Sequence, residues 1–196
     1  MAAEATERTL EKEMRLNQLY LAIISRYKDY IEEMEHISVA ELPSLIMPKN
    51  EMVMKKADDI KKGFGVYNYK INFYEASINA FYFIKNSIED AALPLQFWLT
   101  PEETLTFGIG DVMDRNILLA SLLIDLGNPS AKVLVCVKDS VRKIFTYYEF
   151  DGKAYVLDFS NGFKKFASRD EIIKSLDMND ETIAYEFNDQ IHTEIN

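Results

Sequence analysis

The sequence predicts an α+β fold, with helices first, an antiparallel meander after them and a helical extension ahead of the core. Three observations carry this. Apolar residues recur at helical spacing from the N-terminal region to about Leu126. Beyond Gly127-Asn128-Pro129 the pattern turns to short apolar runs rich in Val, Ile, Tyr and Phe. Asp151-Gly152, a strong two-residue hairpin signal, joins two of those runs.

Composition sets the class. The chain has 196 residues, 48% hydrophobic and 12% aromatic, enough for one substantial core. The net charge of -10 disfavours nucleic acid, whose phosphates call for Lys and Arg, and equally an anionic membrane surface. No apolar run is long enough to span a bilayer. One cysteine, Cys136, precludes an internal disulfide framework. The opening Met-Ala-Ala-Glu-Ala-Thr-Glu-Arg has no basic segment leading into an apolar one, so no signal peptide is read and a cytoplasmic location is expected.

The elements follow in order. From about Ala5 to His36 the chain reads as one helix. Leu16, Tyr20, Ile23, Tyr27, Tyr30 and Met34 recur at alternating spacings of four and three, beside a second row of Leu10, Met14, Leu21, Ile24 and Ile31. The face can pack on the same chain or form the seam of a homodimer; its width favours the first. Pro43 and Pro48 bracket an expected linker, dividing the chain into a helical extension with linker, 1–48, and a domain, 49–196. A short charged helix, about Asn50 to Lys62, ends at Gly63 and Gly65. Asn72 to Asp90 is helical in pattern, with Phe73, Ile78, Phe81, Tyr82, Ile84 and Ile88.

Thr100-Pro-Glu-Glu103 is a capping box with proline at the first helical position. Gly108-Ile-Gly110 follows as a turn. Asp111 then starts a second helix and Asp114 adds negative charge to its first turn. From Ile117 to Leu126 this helix is apolar on most sides, which predicts a central position. Strands are expected at Ala131–Val137, Lys143–Phe150, Lys153–Asp158 and Thr182–Phe187, with a helix capped by Ser168 running to about Leu176.

At Trp98, Thr100-Pro101-Glu102-Glu103-Thr104, Gly110-Asp111, Asp114, Leu118-Leu119-Ala120-Ser121-Leu122-Leu123 and Leu126-Gly127, and on through Val156-Leu157-Asp158, the chain resembles the transglutaminase-like superfamily. The likeness covers about Asn72 to Asp158. It implies a papain-like core: a central buried helix packed on an antiparallel sheet. It also implies a catalytic cysteine after Gly-Asp, a histidine on the following strand pair and an aspartate at the next strand's end. These positions hold Val112, Phe145 or Thr146, and Asp158. A thiolate at a helix head needs sulfur, and its activation needs an imidazole that a carboxylate orients. Only the carboxylate is present, so no catalytic residue is assigned and the chain is expected not to be an enzyme.

Trp98, Gly110, Asp111 and Tyr147 are the candidate lining of the former cleft. Core packing on alternate strand faces is the competing reading of Tyr147 and Tyr148. Cys136 reads as a small buried hydrophobe, His36 as a helix C-terminal residue and His192 as part of a frayed tail. Glu102, Glu103, Asp111 and Asp114 are explained as helix-start acids, so no metal and no cofactor is implied. The expected function is binding of a protein or peptide partner through the degenerate cleft. The alternatives are a cysteine-dependent hydrolase or acyl transferase with a rearranged site, and a structural homo-oligomer through the N-terminal helix.

Overall fold

The computed structural model describes residues 2–34, 38–91 and 97–195. Its helices there are α1 (Ala2–Met34), α2 (Glu51–Lys62), α3 (Tyr69–Ser87), α4 (Pro101–Phe107), α5 (Val112–Asp125) and α6 (Arg169–Lys174). The strands are β1 (Glu89–Asp90), β2 (Ile109–Gly110), β3 (Lys132–Lys138), β4 (Val141–Phe150), β5 (Lys153–Asp158), β6 (Gly162–Phe166), β7 (Ile183–Phe187) and β8 (His192–Ile195). The chain divides into two units, Met1–His36 with Leu93–Phe97, and Ile37–Ala92 with Trp98–Asn196.

In the first unit, α1 is one continuous helix. Tyr20, Ile23, Tyr27 and Tyr30, which share the heptad row, are each close to half exposed or more. His36 lies outside the described residues.

In the second unit, the stretch expected as a linker is structured instead. Val39–Leu45 forms a 3-10 helix with Pro43 inside it. A three-residue turn sets Leu42 and Leu45 on one side, and both are buried with Ile46. The Met47 N–H donates to Ser121 Oγ at 3.0 Å, fixing this segment to α5. The prolines shape a buried turn here and do not open a tether.

Helix α5 is the centre of the unit. Asp111 caps it, accepting from the N–H groups of Met113 at 2.7 Å and Asp114 at 2.9 Å. Asp114 returns the bond by accepting from the Asp111 N–H at 2.9 Å. Leu118, Leu119, Leu122 and Leu123 are fully buried. The helix ends before Gly127, whose φ of +108° suits glycine. A Cβ there would also meet the Tyr69 ring at 3.1 Å.

The six-stranded sheet has the order β6-β5-β4-β3-β7-β8, antiparallel throughout. Asp151 and Gly152 both have positive φ, 49° and 66°, as the tight hairpin requires. That turn sets the register: Thr146 lies opposite Leu157 and Tyr148 opposite Tyr155. Two strands of this sheet go beyond the sequence reading. One is β6, paired with β5. The other is β8, paired with β7 so that His192 faces Phe187 in register. His192 is therefore in a strand and not a frayed tail; the ladder and the buried Ile195 hold it. At α6, Ser168 makes no side-chain cap bond. Glu171 instead accepts from the Ala167 N–H.

Alternation along the strands gives the sheet two faces. The front carries Val133, Val135, Ile144, Tyr148, Tyr155 and Leu157 and packs in the same clusters as α5, with α3 joining at Tyr148. Tyr148 stands edge-on to Phe73, centroids 5.1 Å apart, and its hydroxyl is 2.7 Å from Ser77 Oγ. The back carries Leu134, Cys136, Phe145, Tyr147, Ala154 and Val156, covered by Ile172 and Leu176 in and just beyond α6.

Candidate functional site

The head of α5 is built by reciprocal capping. Asp114 is fully buried. Besides Asp111, it accepts from the Leu99 N–H at 2.9 Å, which holds the Trp98 segment against the helix. Gly110 is required by closeness: a Cβ there would sit 3.0 Å from Asp114 Cβ. Burial, and then the charge of Asp111, push the Asp114 carboxyl up to about 7, against the pull of the two N–H donors.

Val112 is the first residue of α5, where a dipole-activated thiol would stand. Its side chain is partly buried and packs on the cluster of Met113, Ile117, Ile144 and Phe187. Trp98, Val137 and Tyr185, also partly exposed, pack on the same cluster. The Val112 carbonyl accepts from Asn116 Nδ2 at 2.7 Å. Asn116 Oδ1 in turn accepts from Thr146 Oγ1 at 2.8 Å. Both Asn116 and Thr146 are fully buried, so their polar atoms answer one another within the core.

Next on α5, Arg115 is 6% exposed. Its Nη1 lies 3.4 Å from Asp90 Oδ2 and its guanidinium carbon 4.4 Å from the Phe159 ring centroid. Burial lowers its pKa and Asp90 opposes that shift. Its Nε is buried without a hydrogen-bond partner among the described residues.

The structure brings Val112 and Thr146 together on the front face through Asn116, with Trp98, Gly110 and Asp111 at the same helix head. It does not bring Phe145, Tyr147 or Asp158 there. Phe145 lies one residue out of phase with Thr146 and packs on the back. Asp158 lines a back-face cavity with Phe145 and Val156. Its carboxylate closes the β5–β6 turn, accepting from the Ser160 N–H at 2.8 Å, the Asn161 N–H at 3.0 Å and Asn161 Nδ2 at 2.8 Å. Tyr147 is a correction to the cleft-lining set. It is 1% exposed on the back face, where its hydroxyl donates to Glu186 Oε2 at 2.7 Å.

Sequence reasoning missed that back-face network. Glu186, 2% exposed, also accepts from Lys132 Nζ at 2.6 Å and Arg169 Nε at 2.9 Å. Burial raises its pKa, but the bonds from Lys132, Tyr147 and Arg169 prevail and hold it below the ordinary value. The available signal was a glutamate inside the apolar run Ile183-Ala-Tyr-Glu-Phe187. Asn116, the other missed residue, sat likewise inside a mostly apolar helix.

Cys136 is buried on the back face, and burial raises its thiol pKa against the opposing pull of Lys143 and Lys138. The ring of His192 lies 5.5 Å from that of Tyr185. Among the described residues, no group of three or more His, Cys, Asp or Glu is placed to hold a metal ion. No described helix is long and apolar enough to cross a membrane.

The central capped helix against an antiparallel sheet is the transglutaminase-like, papain-like fold. The chain is similar in structure to LapG of Legionella pneumophila. The calcium-bound form shares 15% identity over 82% of this chain and 91% of that one, with a TM-score of 0.51. The EGTA-treated form shares 16% over 82% and 87%, with a TM-score of 0.50. At such identities the likeness establishes the fold. No protein-family model and no curated protein matches the chain.

Proposed function

We propose that this chain is a non-enzymatic member of the fold that binds a protein or peptide through the surface at the head of α5. The observation that carries the reading is Val112 at the first position of α5, partly exposed and packed on the same hydrophobic cluster as Trp98, Val137 and Tyr185. A hydrocarbon there can neither attack an acyl carbon nor be activated. The strand position that would supply a base holds Thr146, whose hydroxyl is committed to Asn116. Partly exposed aliphatic and aromatic side chains around one cluster, a tryptophan and a tyrosine among them, are instead suited to an apolar side chain of a peptide. The lone thiol fits a reducing, cytoplasmic setting.

The test is selection of peptides from a display library, followed by titration of the winners against Val112→Lys. Peptides that bind the wild type, quench Trp98 and lose at least tenfold in affinity to the variant support the reading. Selected peptides that bind both forms equally contradict it.

A second reading, self-association through α1, is favoured by the exposed Tyr20, Ile23, Tyr27 and Tyr30 row. Sedimentation of the full chain against Ile23→Glu/Tyr27→Glu separates the two readings: a dimer made monomeric supports it, and an unchanged mass removes it.

A further inference from the structure

The residues that the family pattern singled out, but that the head of α5 does not use, lie around a groove on the back of the sheet. Phe145 and Asp158 line a cavity of about 290 Å³ with Val156, Ile172 and Leu176. A second cavity of about 230 Å³ adjoins it, sharing Lys143 and Leu176 and reaching Cys136. The floor is apolar because strand alternation turns Phe145, Val156 and Cys136 to this side and α6 covers only part of it.

The rim of the first cavity carries two lysines against one carboxylate, Asp158. Lys143 stands on β4 and Lys164 on β6, on the same face as Val156, and both are exposed. Among the described residues neither has a carboxylate within ion-pair distance. Asp158, the carboxylate in the first cavity, has its oxygens engaged by Ser160 and Asn161. At the far end Lys138 is tied to Asp177, and Asp139 sits in the β3–β4 turn. An apolar trough with two uncommitted ammonium groups at its mouth is locally complementary to a small anion with an apolar tail, against the general repulsion of a chain of net charge -10.

We propose that this groove is a binding site for a medium-chain aliphatic carboxylate, its tail lying on Phe145, Val156 and Leu176 and its head between Lys143 and Lys164. The site is independent of the peptide-binding surface, since it lies on the other face of the sheet. The ammonium groups have free donors for the carboxylate oxygens, and the tail replaces water over the apolar floor.

The experiment titrates the full chain with decanoate below its micellar concentration, by calorimetry and by amide chemical shifts. The expected result is saturable one-to-one binding with shifts in residues 143–145, 156–164 and 172–176 and unchanged emission from Trp98, the chain's single tryptophan. Lys143→Glu/Lys164→Glu weakens binding at least tenfold while circular dichroism stays that of the wild type, Val112→Lys leaves binding unchanged, and decyltrimethylammonium does not bind. Absence of saturable binding, equal binding by the lysine double variant, or shifts centred on Trp98 and Val112 overturns the proposal. Because the readouts separate the two faces, loss of this site and loss of the peptide-binding reading are distinguishable.

Discussion

Two buried carboxylates, one at the head of α5 and one behind the sheet, show how differently the two sides of this molecule are built. Asp114 is held by backbone N–H groups and faces the like charge of Asp111. Glu186 is held by Lys132, Arg169 and Tyr147. Burial penalises both anions, yet one carboxyl is pushed up and the other held down, because only one has cations beside it. Apart from Arg115, whose Nε has no partner among the described residues, the front is thus a mainly apolar core with polar groups answered locally. The back is a thinner cover secured by charge. Hydrocarbon depth stabilises the first and ion pairing the second.

That contrast has consequences of graded size. The largest is in packing. Leu118→Ala opens a cavity beneath the fully buried front core and costs about 4 kcal/mol. Leu176→Ala, in the thinner back cover, costs about 2 kcal/mol, since the site can collapse or admit water. Urea unfolding of both variants reads the difference, and equal losses would erase the distinction between the faces.

Glu186→Gln comes next. It keeps the shape but leaves Lys132 and Arg169 without their anion, at a cost of about 2 kcal/mol. The wild-type contribution has a definite pH sense. A folded value below the ordinary 4.5 means that the contribution is complete above about pH 4.5 and is lost as pH falls through the lowered folded value. Acid unfolding of the variant is accordingly less steep than that of the wild type.

Asp114 gives the opposite sign. Its folded value of about 7 exceeds the ordinary 3.8, so between those values the folded state binds the extra proton. Its contribution is present below about pH 4 and is lost as pH rises towards 7. Stability measured from about pH 5 to about pH 8 falls more in the wild type than in Asp114→Asn. Parallel curves would show that burial at the head of α5 does not govern this carboxyl.

The smallest effect is at Asp158. Asp158→Ala removes the turn bonds to Ser160 and Asn161 and costs about 1 kcal/mol in thermal unfolding. It leaves the binding of selected peptides at the Val112 patch unaltered. A loss of that binding would tie Asp158 to the front face after all.

What the sequence made legible follows the same division. The head of α5 could be read residue by residue, because Asp111, Asp114 and the Thr100–Glu103 box act over three or four positions. The β4–β5 hairpin was equally local. The face each strand residue takes was not. Ile144-Phe-Thr-Tyr-Tyr148 is bulky on both sides, so alternation gives no preferred face, and Phe145, Tyr147 and Asp158 were grouped with a cleft they do not line. Strand β6 was hidden by Lys164 and Lys165, residues typical of a sheet edge and poor in strand signal. Pro43 and Pro48 read as a tether, while the three-residue spacing of Leu42 and Leu45 was the sign of a buried turn. Ion pairs between distant segments, such as Lys132 with Glu186, have no signature in sequence at all.

The proposal that the head of α5 is inert is tested most directly by mass spectrometry of peptide and amide libraries incubated with the purified full chain. The prediction is no cleavage, deamidation or acyl transfer above the buffer background, with Val112→Cys becoming readily alkylated by iodoacetamide but still not turning over, because Thr146 supplies no base. Turnover by the wild-type protein that disappears in Cys136→Ala would contradict it.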